Sequence, residues 1–310
     1  SAPPEEDLFQ PAVGQIEVIP RLEPAEGDDI KEIKRLSSVD KKGMLDEFIR
    51  TNEIPYYLTE HMHQLHNRDI VFIIDDSGSM GLDVKQTSIP LEDQRAIKAA
   101  TKFRYIRRWD ELKYYLEVVV KLAVCIDDDG IDLVGLNRPV AHGVNDIEMV
   151  DRYFENEPSG PTPLYTRLKE VLDGHLPGTN KVIVIATDGV PNDKSLSSFR
   201  NLVRTRAGKR AQETPIVFMK CTDNQEDVDY LESLDRLPWV GVVDDYATEK
   251  GEIRDADMRK QYSPGAHIVN VLLNWVPEID RLDESPRGAR FACSKISSYL
   301  PTWFPTCETM

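Results

Sequence analysis

Residues 70–79 read IVFIIDDSGS, so that five apolar residues lead directly into a polar cluster. A short apolar run rich in β-branched residues is typical of a strand buried on both faces, as in the middle of a parallel sheet. Open α/β folds bind ligands at the carboxyl ends of such strands. The spacing of Asp75, Ser77 and Ser79 lets one tight loop turn a carboxylate and two hydroxyls toward a single point, and Gly78 gives that loop backbone freedom. Hard oxygen ligands of this kind favour Mg²⁺ over zinc or copper.

Two later stretches add oxygen ligands of the same kind. Residues 160–164, GPTPL, place Thr162 between two prolines, which restrict the backbone on both sides and so pre-set the direction of its hydroxyl. Residues 182–189, VIVIATDG, predict a second buried strand that ends in the carboxylate of Asp188 and is followed by Gly189. The sequence therefore predicts five oxygen ligands at the ends of two central strands and in one rigid turn.

Together the three stretches resemble the metal-ion-dependent adhesion site of von Willebrand factor A (VWA) domains, and the resemblance runs from about residue 67 to about residue 280. It implies a Rossmann-like, doubly wound α/β fold with a mostly parallel central sheet, helices on both faces and one antiparallel edge strand. The alternation of strand and helix patterns along the chain predicts the same fold class. The metal ligands that the resemblance implies are Asp75, Ser77, Ser79, Thr162 and Asp188, with Gly78 and Gly189 supporting the loops.

The resemblance also implies a function without catalysis. A Mg²⁺ or Mn²⁺ ion held at the edge of the sheet keeps one coordination position open, and an Asp or Glu of a protein partner fills it. Residues 71–79, 129–133 and 239–244 look most like stand-alone intracellular VWA proteins of fungi, protists and large DNA viruses. The sequence favours neither Mg²⁺ nor Mn²⁺, since both accept these ligands.

Three other interpretations remain open at this point. Asp75, Asp76 and Asp188 also fit a two-metal phosphoesterase, although such sites usually recruit more carboxylates and often His, whereas hydroxyls dominate here. A second interpretation is a scaffold subunit of a larger assembly, for example a virion or a ubiquitin-ligase complex, that uses its terminal extensions. In a third, Glu308 near the end of the sequence fills the open metal position from within the chain.

The patterns divide the chain into four parts. An acidic, Pro-rich arm (1–30) precedes a short helical extension (31–66), the VWA-like domain (67–282) and a tail (283–310). Within the domain, residues 81–107 form an insertion beside the metal face, with an extra helix expected from about 91 to 105. This insertion either makes partner-specific contacts or is a neutral decoration.

Composition limits the partners and the compartment. The 310 residues carry a formal charge of −16, which on average repels nucleic acids and anionic membranes. The basic stretch at 98–108 is interpreted as a solvated helix face. No apolar run approaches the roughly 20 residues of a membrane helix, and no signal peptide is visible. Cys125 and Cys221 fit buried positions, and free thiols are favoured over a disulfide for Cys293 and Cys307. We therefore expect a cytoplasmic protein or a virion component.

Periodicity assigns the remaining elements of the domain. Strands are expected at residues 69–75, 131–136, 138–141, 181–188, 215–221 and 241–245. Helices are expected at residues 108–126, 146–156, 164–172, 193–206, 226–237 and 269–275.

Overall fold

The computed structural model describes residues 38–126, 129–206, 209–222 and 224–283. The predicted acidic arm and most of the predicted tail, including Cys293, Cys307 and Glu308, lie outside the described residues.

The described chain forms one six-stranded sheet. Its strands are β1 (Asp69–Ile74), β2 (Ile131–Gly135), β3 (Ala141–Val144), β4 (Lys181–Thr187), β5 (Ile216–Lys220) and β6 (Val240–Val243). They lie in the order β3-β2-β1-β4-β5-β6, and every neighbouring pair is parallel except β2 with the edge strand β3. The predicted fold class, a Rossmann-like α/β fold with one antiparallel edge strand, is confirmed.

Helices surround the sheet. The longer ones are α1 (Ser38–Thr51), α3 (Leu91–Thr101), α4 (Arg108–Ile126), α5 (Ile147–Tyr153), α6 (Leu164–Asp173), α7 (Leu196–Thr205), α11 (Tyr246–Ala256) and α12 (Pro264–Leu273). The short ones are α2 (Tyr56–Thr59), α8 (Lys209–Glu213), α9 (Gln225–Val228), α10 (Glu232–Asp235) and α13 (Pro277–Asp280). Single 3₁₀ turns lie at Met62–Leu65, Gly78–Gly81 and Asp229–Leu231.

The two central strands are buried on both faces, as their continuous apolar sequences predict. In β1, Phe72 joins the core formed with α1, α4 and α12, while Ile73 joins the core formed with α6 and α7. In β4, Val184 and Ile185 divide between the same two cores. Successive residues of a strand point to opposite faces, so an uninterrupted apolar run needs a layer of helices on each side. The described part of the predicted 31–66 extension belongs to the first core through Phe48, Ile54, Leu58, Met62 and Leu65.

Several elements differ from the sequence-based assignment: helix α3 ends at Thr101 and not near 105, and the short helices α8 and α13 were not predicted. Four other differences concern the sheet edge and three helices. Strand β3 begins three residues later than predicted, because Pro139 cannot donate to a ladder and Arg138 turns its side chain to Asp76. The helix predicted at 226–237 is two short α-helices separated by a 3₁₀ turn. Helix α12 begins at Pro264 instead of 269, with the Ser263 hydroxyl accepting from Ala266 N as its cap. Helix α11 was not predicted at all.

Two further expectations concern burial and membranes. Cys125 and Cys221 are buried free thiols, as predicted. Within the described ranges, no helix combines the length and the apolar character needed to cross a membrane.

Candidate metal centre at the carboxyl edge of the sheet

The candidate site lies where the strand order changes direction. From β1 the chain builds outward to β2 and β3, then returns to place β4 on the other side of β1. A crevice opens at the carboxyl ends of two strands that diverge in this way. Asp75 follows the last residue of β1, and Asp188 follows the last residue of β4. The sheet topology therefore brings both predicted carboxylates to one crevice.

Hydrogen bonds fold the loop after β1 onto the end of β4. Asp75 is buried, and its Oδ1 accepts from Ser77 N at 3.0 Å. Its Oδ2 accepts from the Thr187 hydroxyl at 2.7 Å, which ties the two central strands together. The Ser79 hydroxyl donates to Asp188 Oδ1 at 2.8 Å and lies 3.1 Å from Ser77 Oγ. Four of the five predicted ligands thus lie in one hydrogen-bonded cluster.

The spacing of these oxygens fits a small octahedral cation. Adjacent ligands of an ion with bonds of about 2.1 Å lie about 3.0 Å from each other. Ser77 Oγ to Ser79 Oγ at 3.1 Å and Ser79 Oγ to Asp188 Oδ1 at 2.8 Å match two such edges. The donor set, two carboxylates and hydroxyls, is also of the type that Mg²⁺ and Mn²⁺ accept.

Thr162 reaches the same edge on a separately anchored loop. Its carbonyl accepts from Asn192 N at 3.0 Å, which connects it to the loop that follows β4. The same loop is also bound to the loop that follows β1, since Gly160 O accepts from Gly78 N at 3.4 Å. Among the residues that the structure describes, no hydrogen bond joins the Thr162 hydroxyl to the other four predicted ligands. The structure therefore buries Thr162 at the same edge of the sheet, without a hydrogen bond from its hydroxyl to the cluster among the described residues.

The glycine that this arrangement requires is Gly160. Its φ is 107°, a region that side chains disfavour, and a Cβ there would lie 2.8 Å from the Asn137 side chain. Neither Gly78 nor Gly189 adopts a positive φ, and a Cβ at either would meet nothing within 4 Å. The backbone freedom expected of Gly78 is thus not used in this conformation. Gly189 contributes its carbonyl, which accepts from Tyr230 at 3.2 Å.

The electrostatics of the cluster favour a bound cation. Burial, and then the neighbouring charge of Asp188, raise the pKa of Asp75 to about 6. The hydrogen bonds from Ser77 and Thr187 act in the opposite direction but do not cancel these effects. Two buried carboxylates that disfavour each other's charge are stabilised by a divalent cation placed between them.

Arg108 is a part of the site that sequence analysis missed. It lies in the first turn of α4, is buried, and donates to Asp188 Oδ2 at 2.6 Å and to the Thr222 hydroxyl at 2.8 Å. Arg107 is also buried, where it forms an ion pair with Asp110. The interpretation of 98–108 as a solvated helix face is therefore wrong for its last two residues. The sequence contained one signal, since an Arg at the start of an apolar helix lies where the helix dipole disfavours it.

Asp76 belongs to the same loop but not to the cluster. Its Oδ1 accepts from the backbone and side-chain nitrogens of Asn137 at 2.8 and 2.9 Å, and its Oδ2 accepts from Arg138 at 2.7 Å. The Arg138 guanidinium lies 4.6 Å from the ring centroid of Trp109. This carboxylate is fully committed to holding the neighbouring loop, so it is not available as a second metal ligand.

A second acidic group lies further along the same edge. In the described part of the chain, ligand atoms of Asp244, Glu249 and Glu252 lie within 4.8 Å of one another. Lys220 pairs with Asp244 at 3.0 Å, and Asn270 donates to Glu249 at 3.0 Å. Protein groups thus bind Asp244 and Glu249, which we interpret as part of a hydrogen-bond network, while Glu252 is exposed.

No protein-family model matches the chain, and no curated protein matches it either.

Proposed function

We propose that the chain is a metal-dependent protein-binding module of the VWA type. Mg²⁺, or Mn²⁺ in its place, is held by Asp75, Ser77, Ser79, Thr162 and Asp188. A carboxylate of a protein partner completes the coordination. The observation that carries the proposal is the convergence of Ser77, Ser79 and Asp188 oxygens at 2.8 to 3.1 Å, together with the buried Asp75, at the switch point of the sheet.

The charge of the site supports a carboxylate as the ligand. When bound, the ion supplies an electrophilic position that an anionic oxygen can fill. Asp75 and Asp188 contribute two negative charges, and the contact from Arg108 to Asp188 returns one positive charge. With a divalent ion the group carries a net charge of about +1, which an incoming Asp or Glu neutralises. Neutral Ser and Thr hydroxyls complete the ligand set without adding negative charge.

The same geometry argues against a phosphoesterase. A two-metal site needs several free carboxylates, and Asp76 is held by Asn137 and Arg138. We therefore propose a binding protein without catalytic activity, located in the reducing interior of a cell or in a virion.

The first test measures metal binding directly. Titration with Mg²⁺ by calorimetry, or with Mn²⁺ by electron paramagnetic resonance, should show one site in the wild type. Asp188→Asn and Ser79→Ala should weaken it at least about tenfold, because the first removes the negative charge of a ligand and the second removes a ligand oxygen and its hydrogen bond. Asp76→Asn is the matched control: it makes the same chemical change as Asp188→Asn, lies in the loop that carries Ser79, and should leave metal affinity unchanged. Equal affinity in all four proteins would refute the site.

The second test identifies the partner class. Wild-type and Asp188→Asn proteins are used to capture partners from lysate, each with Mg²⁺ and with chelator. We expect a protein retained only by the wild type with Mg²⁺, and its Asp or Glu is then located by substitution. Partners retained equally under all four conditions would assign binding to another surface and contradict the proposal.

A further inference from the structure

The insertion is attached to the candidate metal centre at both of its ends. Leu82 N donates to Ser79 O at 2.9 Å, directly at the predicted ligand loop. Arg108 N donates to Leu82 O at 2.9 Å, and the Arg108 side chain binds Asp188. Val84 N donates to Ile106 O, which closes a narrow neck. The insertion, residues 81–107, therefore begins and ends at the rim of the site.

The insertion exposes an unusual amount of apolar surface. Of the ten large apolar side chains that are exposed in the described part of the chain, four lie here: Leu82 (55%), Leu91 (71%), Phe103 (44%) and Tyr105 (50%). None of the residues of α3 is buried. Exposed apolar side chains that cluster in one segment mark an interaction site more often than scattered ones do.

Helix α3 has an inner and an outer face. Asp93 and Ile97 are half-buried, and the charge of Asp93 contributes, after burial, to the raised pKa of Tyr114 on α4. Leu91, Arg95 and Ala99 are exposed on the opposite face. The helix ends at Thr101 and is capped by Lys102 in the left-handed conformation, with φ at 61°; Lys102 begins an exposed stretch, residues 102–105. The outer face thus continues toward the neck and the metal centre.

The charge of the insertion is opposite to that of the whole chain. Residues 81–107 contain six basic and three acidic residues, a formal charge of +3 in a chain of −16. On the outer face, Arg95, Lys102 and Arg104 are exposed. Within the described ranges, none of these three forms an ion pair with a carboxylate. They are placed to receive negative charge from outside the molecule.

We propose that the outer face of the insertion docks the polypeptide that flanks the metal-binding carboxylate of the partner. The partner segment is acidic and carries at least one aromatic or aliphatic side chain. This inference rests on the proposed function. Tyr105 is three residues from Arg108, and three extended residues span at most about 11 Å. A flank of several residues on one side of the partner carboxylate therefore reaches from the metal centre to Phe103 and Tyr105.

An acidic peptide fits this face better than a nucleic acid does. The three outward basic residues are separated by apolar side chains and do not form a continuous basic stripe. The remainder of the chain repels a long polyanion, whereas a short acidic segment meets only the local field.

The test uses displayed 12-residue peptides with a fixed central Asp and random flanks, selected on the full chain in Mg²⁺. Peptides selected on the wild type should be enriched in Asp or Glu and in aromatic or aliphatic residues on one flank. The Arg95→Glu, Lys102→Glu, Arg104→Glu triple variant should lose the acidic enrichment. Its affinity for a synthesised wild-type-selected peptide should fall about tenfold at low salt. The matched control makes the same charge change on other surfaces, with the substitutions Lys121→Glu, Arg204→Glu and Arg254→Glu. It should keep both the acidic enrichment and the affinity for the selected peptide.

Two failures are distinguishable. In the first case, selection needs Mg²⁺ and the central Asp, but peptides selected on the triple insertion variant have the same flanking residues as those selected on the wild type. The proposed docking surface is then wrong, and the proposed metal-dependent function stands. If Asp188→Asn and chelator leave the selected peptides unchanged, the proposed function itself fails. Tighter binding of an oligouridine probe than of the selected peptide, lost in the insertion variant, would overturn the peptide assignment.

Discussion

Arg108 contributes a fixed positive charge beside the proposed metal position. Its guanidinium donates to Asp188 Oδ2, while Ser79 donates to the other oxygen of the same carboxylate. Asp188 is therefore shared between a fixed internal cation and the proposed metal position. A cation a few ångströms from a divalent ion weakens metal binding but keeps the bound ion electrophilic.

We predict that Arg108→Met binds Mg²⁺ more tightly and the partner carboxylate more weakly, each by about tenfold. The charge of the loaded site falls from about +1 to neutral, and tenfold lies at the lower end of what Coulomb's law gives at this range. Without metal, the variant should lose about 3–5 kcal/mol of stability, because Asp188 is left buried and unpaired. Calorimetry and denaturant unfolding with and without Mg²⁺ measure both effects.

Arg138→Met is the control for this prediction. It breaks the ion pair with Asp76, which lies outside the cluster, and should lower stability without changing metal affinity. Weaker Mg²⁺ binding by folded Arg108→Met would show that Arg108 positions Asp188 more than it repels the ion.

The sequence predicted the polar residues of the site where their spacing is local. Asp75, Ser77 and Ser79 lie in one loop, and Asp188 follows an apolar run that could only be a buried strand. Arg108 and Asp76 could not be assigned in this way, because their partners are distant in the chain. The three hydrogen bonds that Asn137 and Arg138 donate to Asp76 depend on β1 and β2 being neighbours, which no local pattern states.

Among the elements, those with strong apolar patterns were predictable and those held by polar networks were not. Helix α4 has the predicted bounds because its buried face repeats regularly. Helix α11 carries few apolar residues and an internal Gly251, and it forms because Asp245 accepts from Ala247 N and Thr248 N at its start. The buried carboxylate of Glu249 accepts hydrogen bonds from Asp244 N and from the Asn270 side chain. Asp245 was a recognisable cap signal, but it had no periodic segment to support it.

The insertion is attached to the domain by hydrogen bonds to one buried carboxylate, that of Glu111. Glu111 on α4 accepts from the Thr87 hydroxyl at 2.6 Å and from Ser88 N at 3.0 Å. Ser88 in turn donates to the hydroxyl of Tyr115 at 2.7 Å. None of the residues of α3 is buried, so these bonds, the neck and the buried side chain of Ile89 hold the segment against the domain.

We predict that Glu111→Ala loosens the insertion while the sheet stays intact. Amide hydrogen exchange in residues 84–106 should become at least about tenfold faster, since charge-assisted hydrogen bonds of this kind contribute about 1.5–3 kcal/mol each. Thr87→Val removes only one of the bonds and should give a smaller effect in the same segment. Exchange in β1 and β4 serves as the internal reference. An acceleration spread evenly over the chain would mean that Glu111 supports the whole fold instead.

At the scale of the whole molecule, ion pairs concentrate at one side of the sheet, whereas the buried carboxylates of Glu111 and Glu249 accept hydrogen bonds from uncharged groups. Arg107 with Asp110, Arg108 with Asp188, Arg138 with Asp76 and Lys220 with Asp244 form ion pairs at the carboxyl side of the sheet. Breaking one partner of a buried pair is costly, because the other charge is left in a poorly solvated position. The net charge of −16 therefore says little about this edge, where positive and negative groups alternate.

One buried titratable group, His267, lies among aromatic rings and is connected to this charge network by hydrogen bonds through Tyr262 and Asn270. It is fully buried in α12, and its Nδ1 lies 3.0 Å from the Tyr262 hydroxyl. The rings of Tyr115, Tyr246 and Tyr262 have centroids 5.5 to 5.9 Å from its own. Burial lowers the pKa of His267 to about 3, so the folded protein keeps this ring neutral where an unfolded chain protonates it.

We predict that His267 makes the whole fold acid-sensitive. Below about pH 6.5 the unfolded chain takes up a proton that the folded state refuses until about pH 3, so this group lowers the free energy of unfolding as pH falls, by about 1.4 kcal/mol per unit. Asp75 and Glu252, each with a pKa raised to about 6, act in the opposite direction between about pH 6 and 4. Asp75 and Glu252 contribute equally in the His267→Asn variant, so the difference in free energy of unfolding between wild type and variant isolates His267. Asn at this position keeps a hydrogen-bond partner for Tyr262. In urea unfolding, the variant should be less stable than wild type at pH 7.5. The difference in free energy of unfolding between the two proteins should shrink by about 1.4 kcal/mol per pH unit between pH 6 and 4. Ile268→Val, a non-titrating core substitution on the same helix, should lower the free energy of unfolding by the same amount at every pH. A difference between wild type and His267→Asn that is equally independent of pH would contradict the prediction.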